Sequence, residues 1–253
     1  MNTVKTFLCP SEGMQMRFCS DRLAVSPAKG RFCIADGVSG SHLGGAWAWL
    51  LCQDFISEAS PATEWAKEMD DERKDVLSDL WNEECDEMER NSAPDSLRRL
   101  KRTRSYFGHG ASTITGISIS GGRLYYSIIG DSCLWLKSRT GELRCLPEGI
   151  NITNIADAVT SDWKVFPGPD KGELPLEEGL IVLATDALSE WIAKMNDNGK
   201  DGIAILAGLE SDDDFVGMIQ KYRNAPEPER LKDDDVGVII IDIQDADNET
   251  FTK

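Results

Sequence analysis

Four aspartates, each at the edge of a strongly apolar run, constrain this chain more than any other feature. Arg31-Phe32-Cys33-Ile34-Ala35 leads into Asp36-Gly37 and a Gly/Ser turn. Leu124-Tyr125-Tyr126-Ser127-Ile128-Ile129-Gly130 leads into Asp131, and a further apolar run follows from Cys133. Leu180-Ile181-Val182-Leu183-Ala184-Thr185 leads into Asp186, and Asp234 stands just before Val236-Gly237-Val238-Ile239-Ile240-Ile241. Short apolar runs closed by turn residues read as buried strands. A carboxylate at the end of such a strand is held rigidly yet escapes the apolar interior. Taken singly, each acid is an ordinary turn residue. Together, in order from residue 36 to residue 234, they suggest one hard-cation site, since magnesium and manganese prefer oxygen ligands.

The remaining pattern runs strands, helices, strands. Residues 3–9, 23–26 and 31–35 read as extended, with Ser26-Pro27-Ala28-Lys29-Gly30 as a turn. From Gly45 the period changes: Ala46-Trp47-Ala48-Trp49-Leu50-Leu51 opens a helix with an apolar face for a sheet. Residues 62–90 are charged, with Trp65, Met69, Val76, Leu80, Trp81 and Met88 at helical spacings. The tryptophans fit a helix-to-sheet core or, alternatively, a ligand site. Ser92 or Asp95 is a candidate cap for another helix, through Leu97 and Leu100. Residues 114–119, 123–129 and 133–138 form a meander, runs at 180–184 and 236–243 return to the centre, and a helix follows Asp186. Glu210-Ser211-Asp212-Asp213-Asp214 reads as a helix cap before Phe215 rather than a calcium loop. Long helices between hairpin-linked strands favour two antiparallel sheets flanked by helices. With 253 residues, 41% of them hydrophobic, and no long linker, one domain over 1–253 is expected, its tail fraying from about residue 244.

The net charge of −17 argues against nonspecific nucleic-acid binding, which needs lysine and arginine to neutralise phosphates. A phosphorylated ligand would also be repelled at long range, so local cations must attract it. The seven cysteines form no C-x-x-C pair. With no signal peptide and no run of membrane-spanning length, reduced thiols in a cytoplasmic protein are the expectation, and no membrane partner. His42 and His109 are too few to build a zinc site with them. His42, beside the Asp36 turn, reads either as a solvated residue or as a proton-transfer group. Arg98, Arg99, Lys101, Arg102 and Arg104 form a basic cluster, either a solvated helix end or a guide for an acidic partner.

The chain resembles the metal-dependent, type 2C-like protein serine/threonine phosphatases (PPM family) in four ordered blocks. They are Asp36-Gly37-Val38-Ser39-Gly40-Ser41 with Gly44-Gly45; Ala111-Ser112-Thr113 with Ile129-Gly130-Asp131-Ser132; Leu183-Ala184-Thr185-Asp186-Ala187-Leu188-Ser189; and Asp234-Asp235-Val236-Gly237-Val238. The resemblance implies an α+β fold, a four-layer α/β/β/α sandwich with two central antiparallel sheets flanked by helices. It implies that Asp36 bridges two Mn2+ or Mg2+ ions and that the Gly37 carbonyl meets one of them through water. Asp186 and Asp234 would complete the first ion's shell, Asp131 would hold a weaker third ion, and Asp21 would give outer support. The implied reaction is hydrolysis of phosphoserine or phosphothreonine in proteins by a metal-activated water, with a phosphoprotein partner such as a kinase or its target.

The pattern also departs from the family. Ser20 stands where an acid or amide is usual, and Arg17 is the candidate phosphate-binding arginine, equally readable as a surface residue. Ser39, Ser41, Cys133, Ala187 and Gly237 replace family residues without removing a principal aspartate. Ala187 would be strained if its place demanded positive φ. These departures leave a second reading, a catalytically weak or inactive phosphatase-like module that binds a phosphoprotein or regulatory partner. The stretch 146–169 is where a specificity flap is sought.

Overall fold

The structure, a computed structural model, describes residues 1–65, 71–90, 109–148, 157–161 and 168–252. The basic cluster at 98–104, Met69, the cap sought at Ser92 or Asp95 and most of the stretch 146–169 lie outside them.

Thirteen strands are described: β1 (Asn2–Cys9), β2 (Arg22–Ser26), β3 (Arg31–Ala35), β4 (Ala111–Ser112), β5 (Ile114–Ser120), β6 (Arg123–Ile129), β7 (Cys133–Ser138), β8 (Leu143–Leu146), β9 (Val159–Thr160), β10 (Asp170–Pro175), β11 (Gly179–Ala184), β12 (Val236–Ile243) and β13 (Phe251–Thr252). The described helices are α1 (Gly44–Ser57), α2 (Asp71–Arg90), α3 (Asp186–Asp197), α4 (Gly202–Ala207) and α5 (Asp212–Arg223). One sheet runs β13-β1-β12-β11-β7-β8 and the other β10-β6-β5-β3-β2, with β4-β9 as a small separate pair. Every pairing is antiparallel except β1 with β13.

The layers follow from the two-residue period of the strands. In β12, Val236, Val238 and Ile240 point one way, into a core shared with Leu188, Trp191, Phe215 and Ile219 of α3 and α5. Their neighbours Ile239, Ile241 and Ile243 point the other way, to meet Phe32, Ile34, Ile117 and Ile128 between the two sheets. On the second sheet, Phe32 and Ile34 face that inter-sheet core, while Cys33 and Ala35 turn outward to Trp47, Leu51 and Phe55 of α1. Strands buried on both faces must be apolar throughout, which is why β3, β11 and β12 read as continuous runs. The result is the expected four-layer sandwich: helices, sheet, sheet, helices.

Several local expectations are revised. Trp65 precedes α2 instead of lying on it; its ring sits 5.7 Å from that of Phe55 and its indole donates to Asp54. On α2, Trp81 is buried but Val76 and Leu80 are exposed. Beyond residue 244 the chain returns to β1. Asn2 takes amide protons from Gln244 and Asp245, and β13 then buries Phe251 edge-on against Phe32. Among the described residues no helix is long and apolar enough to cross a membrane.

Candidate metal centre

One end of the sandwich collects the acids. Arg22 opens β2 opposite Ala35, which closes β3, so Asp21 and Asp36 leave neighbouring strands side by side. Cys133 opens β7 opposite Ala184, the last residue of β11, which brings the Asp131 turn to the start of α3 at Asp186. Ala184 also pairs with Val238, so Asp234 enters β12 at the same end. Thr185 fastens this corner: its amide donates to the Gly237 carbonyl (3.2 Å) and its hydroxyl accepts from the Gly237 amide (3.0 Å).

The Asp36 peptide is held by the segment that the sequence singled out beside it. Its carbonyl accepts from the Thr113 amide (2.9 Å) and the Ser112 hydroxyl (2.7 Å), and its amide donates to the Thr113 hydroxyl (3.3 Å). Gly37 bridges to Ser112 and lies against the start of α1, where an added Cβ would stand 2.6 Å from the Gly44 carbonyl carbon. Only glycine allows that approach. Ser41, one of the departures, accepts from the Ala111 amide (3.1 Å) and donates to the Val38 carbonyl (3.0 Å), so it closes the turn in its own way. Gly130, at φ +103°, turns the chain so that Asp131 can point to the site. Ala187 sits in the first turn of α3 and is buried, so its place needs no positive φ.

The side chains press like charges together. Burial drives the Asp36 carboxyl well above its usual range, and the charges of Asp21, Asp186 and Asp131 push it further. Asp21 is 1% exposed and is likewise driven up, first by burial and then by Asp235; the Thr185 hydroxyl and Asp36 lie within hydrogen-bonding reach of it. Its Oδ2 is buried and has no hydrogen-bond partner among the described residues. Asp131 is raised to about 6 by burial and by Asp186. Burial also raises Asp186, with Lys232 opposing the shift. Lys232 Nζ lies 2.8 Å from Asp234 and 3.5 Å from Asp186.

This arrangement suits hard cations. Its donors are carboxylate oxygens, one buried oxygen is orphaned, and an ammonium already bridges two of the acids. The convergence is looser than a finished cage: among the described residues no three His, Cys, Asp or Glu side chains form a ready metal-holding group. The acids stand instead as two pairs, Asp21 with Asp36 and Asp186 with Asp234.

Arg17 is exposed on a single 3-10 turn, with its guanidinium 4.7 Å from the Phe18 ring centre. The loop that carries it is tied to the site by Asp235, a member of the fourth block to which the sequence assigned no role. Asp235 accepts from the Ser11 amide with one oxygen (2.8 Å) and from the Ser20 amide with the other (2.6 Å). Lys232 was also missed; a lysine two residues before Asp234 in a charged run was the only signal. His42 is exposed, with its ring edge-on to Trp81 at 6.3 Å.

No protein-family profile and no curated protein matches the chain. Solved structures do. The chain is similar to a bacterial serine phosphatase, with TM-score 0.60 and 13% identity over 95% of this chain and 97% of that one. It is similar to the Mycobacterium tuberculosis serine/threonine phosphatase PstP/Ppp, with TM-score 0.58 and 15% identity over 95% and 98%. The serine/threonine phosphatase Stp1 of Staphylococcus aureus gives TM-score 0.56 and 13% identity over 96% and 95%. At such identities the likeness concerns architecture: the chain has the fold of the PPM-type, phosphatase 2C-like serine/threonine phosphatases.

Proposed function

We propose that this chain hydrolyses phosphoserine or phosphothreonine in proteins, using Mn2+ or Mg2+ held at the acidic end of the sandwich. The observation that carries this reading is the convergence of Asp21, Asp36, Asp131, Asp186 and Asp234 from five separate chain segments onto one end of the sandwich, with Asp21, Asp36, Asp131 and Asp186 all raised by burial. Carboxylates crowded in this way need either protons or cations. Asp36, Asp186 and Asp234 would hold the cations, with Asp131 and the Gly37 carbonyl as further oxygen donors and Asp21 supporting Asp36 from behind. Bound cations would supply the charge that neutralises phosphoryl oxygens and makes water nucleophilic near neutral pH.

The chain's own residues set the geometry. Ser112, Thr113 and Gly37 fix the peptide at Asp36, and Thr185 locks the β11 corner to β12. Asp235 closes the base of the loop bearing Arg17, whose guanidinium is assigned to the phosphate dianion. The substrate is a phosphoprotein, a kinase or its target. Nucleic acid is disfavoured by the charge of −17. Seven free thiols fit a cytoplasmic location.

One observation favours the second reading, a module that binds a phosphoprotein without turning it over: Lys232 already neutralises part of the acid cluster. Phosphate release from a phosphothreonine peptide separates the two. Metal-stripped protein titrated with Mn2+ is expected to regain turnover, and Asp36→Asn to lose at least about a hundredfold in kcat. No release from folded wild type with either Mn2+ or Mg2+ would select the binding module.

A further inference from the structure

Lys232 is not a wandering surface lysine. The residue before it, Leu231, is 1% exposed in the core beneath α3 and α5, and its amide donates to the Tyr222 carbonyl at 3.0 Å. On the other side, the Arg223 guanidinium donates to the Asp234 carbonyl and meets Asp233 at 3.3 Å. The backbone is thus anchored on both sides of Lys232, and the side chain crosses back to the carboxylates. Its ammonium reaches Asp234 at 2.8 Å and Asp186 at 3.5 Å, and its charge is also felt at Asp131. Among the described residues it is the cation that ion-pairs with both acids.

We propose that Lys232 is a built-in counter-ion for the metal-free centre, occupying the Asp186–Asp234 pair that the first cation needs, so that metal entry requires its displacement. The inference rests on the metal-centre reading. Two positive charges cannot share a carboxylate pair at these distances without strong repulsion, since like charges a few ångströms apart in a partly buried site interact strongly. An ammonium is a flexible point charge on a four-carbon stem, so it can swing into solvent as a divalent ion arrives. The consequence is a lowered affinity for the first ion. The protein would stay folded and closed at low metal concentration and open its centre only when the free cation is abundant. Such a lysine makes the centre a cation-concentration switch.

The test is calorimetric titration of EDTA-stripped protein with manganese chloride, comparing wild type, Lys232→Met and Lys232→Arg. Lys232→Met, which keeps the aliphatic stem, is expected to bind the first Mn2+ roughly tenfold tighter or more, whereas Lys232→Arg stays near wild type. Melting temperatures give a second readout: in EDTA Lys232→Met melts below wild type, and in saturating Mn2+ it matches or exceeds it. A lysine with a merely structural role would lower both. Equal Mn2+ affinity in wild type and Lys232→Met overturns the counter-ion assignment alone. Absence of Mn2+ binding in all three folded proteins overturns the metal-centre reading, and this inference with it.

Discussion

At the scale of single residues, the tension in this molecule lies in its carboxylates. Asp21, Asp36, Asp131 and Asp186 are each held above the ordinary aspartate value, burial being the first cause in every case. A carboxyl whose pKa is higher in the folded than in the unfolded state binds its proton more tightly when folded. Its contribution is therefore fully present at low pH and is lost as pH rises through the folded value. For Asp131 that window runs from 3.8 to about 6. Comparing EDTA-treated wild type with Asp131→Asn isolates the effect, because asparagine does not titrate. Wild type is expected to lose thermal stability relative to the variant as pH rises from 3.8 to about 6, and a difference independent of pH would contradict the assigned environment. Asp36, Asp131 and Asp186 were legible because each closes an apolar run, whereas Asp21 was expected only from the family resemblance. Lys232 and Asp235 were not, since their partners lie far along the chain: Asp235 takes its protons from Ser11 and Ser20, a link that no local pattern reports.

At the scale of elements, the site depends on how closely α1 approaches the turn after β3. An alanine at Gly37 would put its Cβ 2.6 Å from the Gly44 carbonyl carbon and 2.8 Å from the Gly45 nitrogen. Both are backbone atoms at the start of a helix, so neither can rotate away. Gly37→Ala is expected to cost about 1–3 kcal/mol in denaturant unfolding, the usual range for overpacking, and to weaken Mn2+ binding by moving Asp36. Unchanged stability would mean that the helix start is free to shift. The elements with two buried faces, β3, β11 and β12, could be read from sequence because their apolar runs are nearly continuous. The sequence reading passed over β10, since Asp170–Pro175 alternates exposed and half-buried residues on an edge strand, with Lys171, Glu173 and Pro175 among them. Such a strand exists because β6 offers it a partner, and edge positions tolerate proline and charge. The short β13 is explained in the same way, by β1 and by the pocket for Phe251.

At the scale of the whole molecule, the architecture is set by binary pattern more than by particular side chains. That is why the fold is shared along almost the full length with proteins of only 13–15% identity. Two antiparallel sheets stacked face to face bring strand ends from distant parts of the chain to one edge. Acids spaced from residue 21 to residue 235 in sequence thereby become neighbours. The resemblance implied that Asp186 and Asp234 would stand together with Asp21 as outer support, but the contacts that group them could not be read from the sequence. Asp21 with Asp36, and Asp186 with Asp234 across Lys232, arise from strand register and a loop anchored by Leu231. The most direct test of the central claim is a crystal of the metal-loaded protein measured at the manganese absorption edge. Anomalous density is expected at the sheet end, contacted by Asp36, Asp186 and Asp234, with the Lys232 ammonium swung out of the Asp186–Asp234 gap. A manganese-soaked crystal with no anomalous peak there, and Lys232 still bridging the two acids, would contradict it.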